Sequence, residues 1–120
     1  MGAARDVLTV RIESDGPVVI VRLLGSLDAG SQAQAESMIL PLLSSECRHL
    51  LIEASELSFV SSAGLRVFIS AVKSVKPSGG TVGICAPQPS VEQLLRIAGL
   101  TALIKLHPSV DAARNVLLVG

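Results

Sequence analysis

Tryptophan and tyrosine are absent from this 120-residue chain, and Phe59 and Phe68 are its only large aromatic residues. Bases therefore have no platform to stack on. Ten Lys and Arg offset ten Asp and Glu, so there is no basic field to attract a phosphate backbone either. No nucleic-acid partner is expected. Cysteine is scarce as well: Cys47 and Cys85 lie far apart, without CxxC spacing or clustered histidines. A zinc site and a disulfide framework both lack support, and the reading is two reduced, buried cysteines and no cofactor. Long apolar runs are missing too. The richest, Pro17 to Leu24, is broken by Arg22 and falls well short of the roughly 20 residues that span a bilayer. Residues Met1 to Asp6 lack the apolar stretch of a signal peptide, and Asp6 stands where a myristoylation signal needs Ser or Thr. The expectation is a cytoplasmic chain with no membrane insertion, whose ligand is another protein.

Apolar residues make up 49% of the chain and charged ones 17%, which excludes disorder. The length suits one domain over residues 1–120, with a radius of gyration of about 14 Å. Val7 to Glu13 and Val18 to Leu24 are β-rich runs around the turn-forming Ser14-Asp15-Gly16-Pro17, which predicts a hairpin. Ser31 and Gln34 have the spacing of a capping box, opening a helix with Ala35, Met38, Ile39 and Leu42 inward and an end near Pro41. Strands are expected over His49 to Glu53, Glu56 to Val60, Thr81 to Ala86 and Leu103 to Leu106. Helices are expected from Ser61–Ser62 to about Lys76, from a second capping box at Ser90 and Gln93 to Gly99, and from Pro108-Ser109 through Val116. Strands alternating with helices after a hairpin predict an α/β fold: a mixed, mainly parallel sheet with one antiparallel edge strand, packed with about four helices.

The segment Phe59-Val60-Ser61-Ser62-Ala63-Gly64-Leu65 leads from a strand straight into a helix. Free N–H groups and the positive end of the helix dipole favour an anion there. No carboxylate stands in the first turn, and no Glu or Gln completes a capping box. The plainer reading is that Ser61 or Ser62 is only an N-cap and Gly64 only lets the helix pack closely. A hydrolytic nucleophile has less support, since there is no G-x-S-x-G elbow and neither His49 nor His107 shows a general-base arrangement. At helical period, Leu65, Phe68, Ile69, Val72 and Val75 form a stripe expected to face the sheet, with Arg66 and Lys73 to one side. Ala63, Val67, Ser70, Ala71 and Ser74 form a second stripe, nearly opposite. This outer face is either a docking surface for another protein or an ordinary scatter of small residues.

With these residues in place, the chain resembles the STAS domains of bacterial anti-sigma factor antagonists over essentially its whole length. The segment from Phe59 to Arg66 is similar to the family's phosphorylation loop, whose acceptor serine lies two residues before the Gly-Leu pair; that selects Ser62. Gly25-Ser26-Leu27-Asp28 resembles the family's turn after the second strand, which the fold brings beside that loop, and Ile97-Ala98-Gly99-Leu100 its turn out of the third helix. Many members carry Asp immediately before the acceptor, where this chain has Ser61. The resemblance implies a non-enzymatic, monomeric switch. Its unphosphorylated form binds an anti-sigma factor that is also a serine kinase, so releasing a sigma factor; phosphorylation of Ser62 ends binding and a serine phosphatase restores it. The implied docking surface comprises Asp28, Ser61, Ser62, Ala63, Gly64, Arg66, Val67, Ser70 and Ala71. The alternatives are a constitutive STAS subunit of a lipid-transport or stress-sensing assembly and a small-ligand or nucleotide-binding module.

Overall fold

The computed structural model describes residues 7–43 and 49–119, the last two by backbone alone. Its strands are β1 (Thr9–Asp15), β2 (Val18–Leu27), β3 (His49–Glu53), β4 (Leu57–Val60), β5 (Thr81–Cys85) and β6 (Lys105–His107). Its helices are α1 (Gln32–Ile39), α2 (Ser62–Val75), α3 (Pro89–Ile97) and α4 (Val110–Val119). The sheet runs β1-β2-β3-β5-β6. Its β1–β2 pair is antiparallel and the other pairs are parallel, as expected. The described residues have a radius of gyration of 13.5 Å.

The strand β2 is longer than its apolar run suggested, because it serves two partners. Val18 to Arg22 pair with β3, and Gly25 to Leu27 pair with β4 after a register shift at Gly25. Gly25 has φ +99, a conformation costly for any residue with a Cβ. The hinge in β2 thus carries Leu27 and Asp28 to the start of α2.

Alternation along the strands divides the interior in two. Val19, Val21, Leu23, Leu50, Ile52 and Ile84 join the main core, together with Ala35 and Ile39 of α1, Val67, Phe68, Ala71 and Val75 of α2 and Val91 and Leu95 of α3. Val18, Ile20, Leu51 and Cys85 face the other way, against Ala113 of α4. Cys85 is free and buried, and burial, followed by the nearby Glu53 carboxylate, pushes its thiol up to about 11. It is an inert core thiol at neutral pH. Cys47 lies outside the described residues.

Several local expectations change. Ser31 holds the N-cap position of α1, but its side chain makes no capping hydrogen bond: its hydroxyl accepts from the N–H of Asp28 and donates to the carbonyl of Ser26. Gln34 donates to the carbonyl of Leu8 instead of reaching back to Ser31. Met38 is exposed, since α1 buries only Ala35 and Ile39, and the helix gives way to a 3-10 turn containing Pro41. Ser90 is not the cap of α3. The helix begins two residues earlier, with Gln88 as N-cap and Pro89 in the first turn, where the missing N–H of proline costs nothing. The last strand lies at Lys105–His107, with Leu103 exposed in the preceding turn.

The largest correction concerns α2. Its fully buried residues are Gly64, Val67, Phe68, Ala71 and Val75, whereas Leu65, Ile69 and Val72 are only partly buried. At about 100° per residue the buried arc is turned by about 80° from the predicted stripe. The cause is that α2 packs against α1 as well as the sheet, so Val67 and Ala71 belong to the core and not to an outer face. Gly64 anchors that packing. A Cβ there would stand 2.3 Å from the carbonyl oxygen of Leu27, a backbone atom that no rotamer change can move. Gly64→Ala is therefore expected to destabilise the fold by about 1–3 kcal/mol by denaturant titration, although alanine is intrinsically favoured over glycine by about 1 kcal/mol in helices.

Candidate functional site

The site forms where the hinged end of β2, the end of β4 and the start of α2 meet. The N–H of Ser61 donates to the carbonyl of Leu27 at 2.9 Å, and Leu27 pairs with Val60. These contacts fix the Ser61–Ser62 step beside the turn that begins at Asp28.

The two serines have different roles. Ser61 has extended backbone geometry, and its side chain accepts from the N–H of Gly64 at 3.2 Å, so it is the N-cap of α2. Ser62 is the first helical residue, is exposed, and its hydroxyl has no hydrogen bond among the described residues. The N–H groups of Ser62 and Ala63 have no intrahelical partner by the geometry of a helix start. No acidic residue stands in the first turn. The dipole end is thus unoccupied by any carboxylate of the helix, and it favours negative charge placed on Ser62. Ser61→Ala is expected to cost about 1 kcal/mol of stability by loss of the cap, whereas Ser62→Ala should leave the melting curve unchanged; the reverse result would exchange the two roles.

Asp28 is half-buried and held firmly. Its Oδ1 accepts from the N–H of Gly30 at 3.0 Å and lies 3.3 Å from the Ser31 hydroxyl oxygen, while its carbonyl accepts from the N–H groups of Ser31 and Gln32. Ser31, whose side chain bonds back into the turn instead of to the first N–H groups of α1, is the residue that fixes this turn. A cleft of about 230 Å³ bordered by Leu8, Ser26, Asp28 and Gln34 lies beside it.

Of the residues expected on one docking surface, Asp28, Ser61, Ser62, Ala63 and Arg66 keep some exposure, with Ser62 and Arg66 the most open. Gly64, Val67 and Ala71 are buried and unavailable to a partner. Ser70 is partly buried and donates to the carboxylate of Glu36 at 3.1 Å, tying α2 to α1. Glu36 gave no signal in the sequence, since its partner lies 34 residues away. Among the described residues no group of three or more His, Cys, Asp or Glu is placed to hold a metal, and no helix is long and apolar enough to cross a membrane.

A hinged strand, a serine-capped helix and an adjoining aspartate turn on a mixed sheet define a STAS domain. The STAS domain model matches residues 9–113, and the chain belongs to that family. Within it the chain stands with the anti-sigma factor antagonists: the anti-sigma F factor antagonist of Paenibacillus polymyxa is 31% identical over 111 residues, covering 92% of each chain. The fold is also that of SpoIIAA. The unphosphorylated form of that antagonist superposes with a TM-score of 0.82 at 18% identity over 93% of this chain and 98% of its own. The phosphorylated form of SpoIIAA, a cell fate determinant of Bacillus, gives 0.72 at 19% identity over 90% and 99%.

Proposed function

We propose that this chain is a phosphorylation-controlled anti-sigma factor antagonist of the bacterial cytoplasm. Unphosphorylated, it binds an anti-sigma factor that is also a serine kinase, and so releases a sigma factor. Phosphorylation of Ser62 ends that binding and a serine phosphatase restores it. The observation that carries this reading is the division of labour at the start of α2: Ser61 supplies the cap, leaving the exposed Ser62 hydroxyl without a partner among the described residues. A nucleophile required only to accept a phosphoryl group needs access and a place for the product charge. The kinase contributes ATP and magnesium; this chain contributes the hydroxyl.

The phosphate would bring about −1.5 to −2 charges at neutral pH. Within the free protein the α2 N-terminus favours them. In the complex they would be desolvated beside Asp28, and the exposed Arg66 one turn along α2 would offset only part of that cost. A surface built from Asp28, Ser62, Ala63 and Arg66 would then bind in one state only, without a change of fold.

The test is intact and peptide mass spectrometry after incubation with ATP and the serine-kinase anti-sigma factors of the same organism, with Ser62→Ala and Ser61→Ala as controls. Phosphate on Ser62 that disappears in Ser62→Ala and persists in Ser61→Ala is the expected result. No phosphate from any of these kinases would instead make this a constitutively binding subunit with Ser62 an ordinary helix residue.

A further inference from the structure

The face of the sheet beneath α4 is only partly filled, and it holds a cavity of about 270 Å³ walled by Leu51, Leu103, Val116 and Leu117. Lys105 and His107 supply its side-chain charge and its imidazole. The two are separated by one residue on β6, so they project from the same face of the sheet. We propose that this cavity binds a small aliphatic carboxylate, its chain against Leu51, Leu103 and Val116 and its head group held by His107 and Lys105.

His107 provides the reason. It is only 7% exposed, yet neither ring nitrogen has a hydrogen bond among the described residues. Every fully enclosed side-chain nitrogen or oxygen described does have a partner, so the unpaired imidazole must reach open space. The residue also borders a larger cleft with Pro87, Glu92 and Arg96. Its Cδ2–Nε2 edge, however, lies over Gly83, where an added Cβ would meet both atoms at 3.0 Å, and Gly83 belongs to the apolar cavity. The absence of a side chain at Gly83 makes room for the ring.

Burial, and then the charge of Lys105, lower the pKa of His107. The neutral ring offers one N–H donor, which an anion could accept while pairing with Lys105. A cation would meet repulsion, since Lys105 is the only residue of fixed charge lining the cavity among the described residues. The site is a half-open groove of about 270 Å³, a shape that suits a short aliphatic chain.

The test is an NMR titration of the full chain with octanoate, with octanol and acetate as comparisons. Octanoate is expected to give saturable shifts at Leu51, Leu103, His107 and Val116, and to bind at least tenfold tighter than either comparison. Lys105→Ala should erase the preference over octanol. Val116→Glu, at a position 54% exposed, should abolish the shifts while leaving the rest of the spectrum folded. Absence of saturable shifts, equal binding of octanol by the unmodified chain, or unchanged binding by Val116→Glu would overturn the proposal. None of these readouts depends on Ser62 or on an anti-sigma factor.

Discussion

Phosphorylation of Ser62 should lower affinity for the anti-sigma factor more than a hundredfold, a loss of about 3 kcal/mol, while Ser62→Ala should bind as tightly as the unmodified chain. The asymmetry follows from position. Among the described residues the Ser62 side chain makes no hydrogen bond that alanine would lose, and Ser62 follows the capping residue instead of being it. The added phosphate changes charge, not architecture, and an interface that covers this helix start must strip water from it. Ser62→Asp carries about half that charge and lacks the phosphate's extra oxygens, so an intermediate loss is expected. Titration calorimetry of the three forms against one partner decides the matter; equal affinities would refute electrostatic control at this residue.

Val67→Glu should unfold the domain or lower its melting temperature by about 15 °C or more, the equivalent of about 4 kcal/mol for a chain of this size. Val67 has no exposed surface and lies in the main core beside Phe68 and Ala71. A carboxylate there would have neither water nor an ion partner, and the cost of burying such a group unpaired is several kcal/mol. At about 0.05–0.15 kcal/mol per residue the whole domain holds about 6–18 kcal/mol, so one such change can remove much of it. Arg66→Glu, one position earlier but exposed, should change stability by about 0.5 kcal/mol or less. Thermal melts of both variants provide the check. A Val67→Glu variant that melts within a few degrees of the parent would place Val67 on the surface and return it to the docking face.

Much of the scaffold was legible because its signals are local. The β-rich runs on either side of Gly16-Pro17 pair as β1 and β2, and His49–Glu53 and Thr81–Cys85 are found where their apolar runs lie. Capping was less legible, because a cap depends on where the chain enters the helix. Ser31 had a competing donor in Asp28 and a competing acceptor in Ser26. Ser90 was displaced by Pro89, which starts α3 earlier. The exposed serine was legible as a candidate, but which serine caps and which is free was not; the hydrogen bond from Gly64 to Ser61 separates them.

The sequence by itself determined the α/β pattern, the antiparallel start of the sheet and the serine step at the head of α2, since each depends on propensity, period or residues adjacent in the chain. Only the tertiary structure decided that β4 pairs with the far end of β2, that Asp28 is locked by Ser31, and that α2 buries Val67 and Ala71. The physical reason is that a helical pattern records how apolar its faces are, not how many neighbours cover them. With α1 on one side and the sheet on another, the buried arc of α2 turned toward both, and small residues that looked suited to a partner became part of the core.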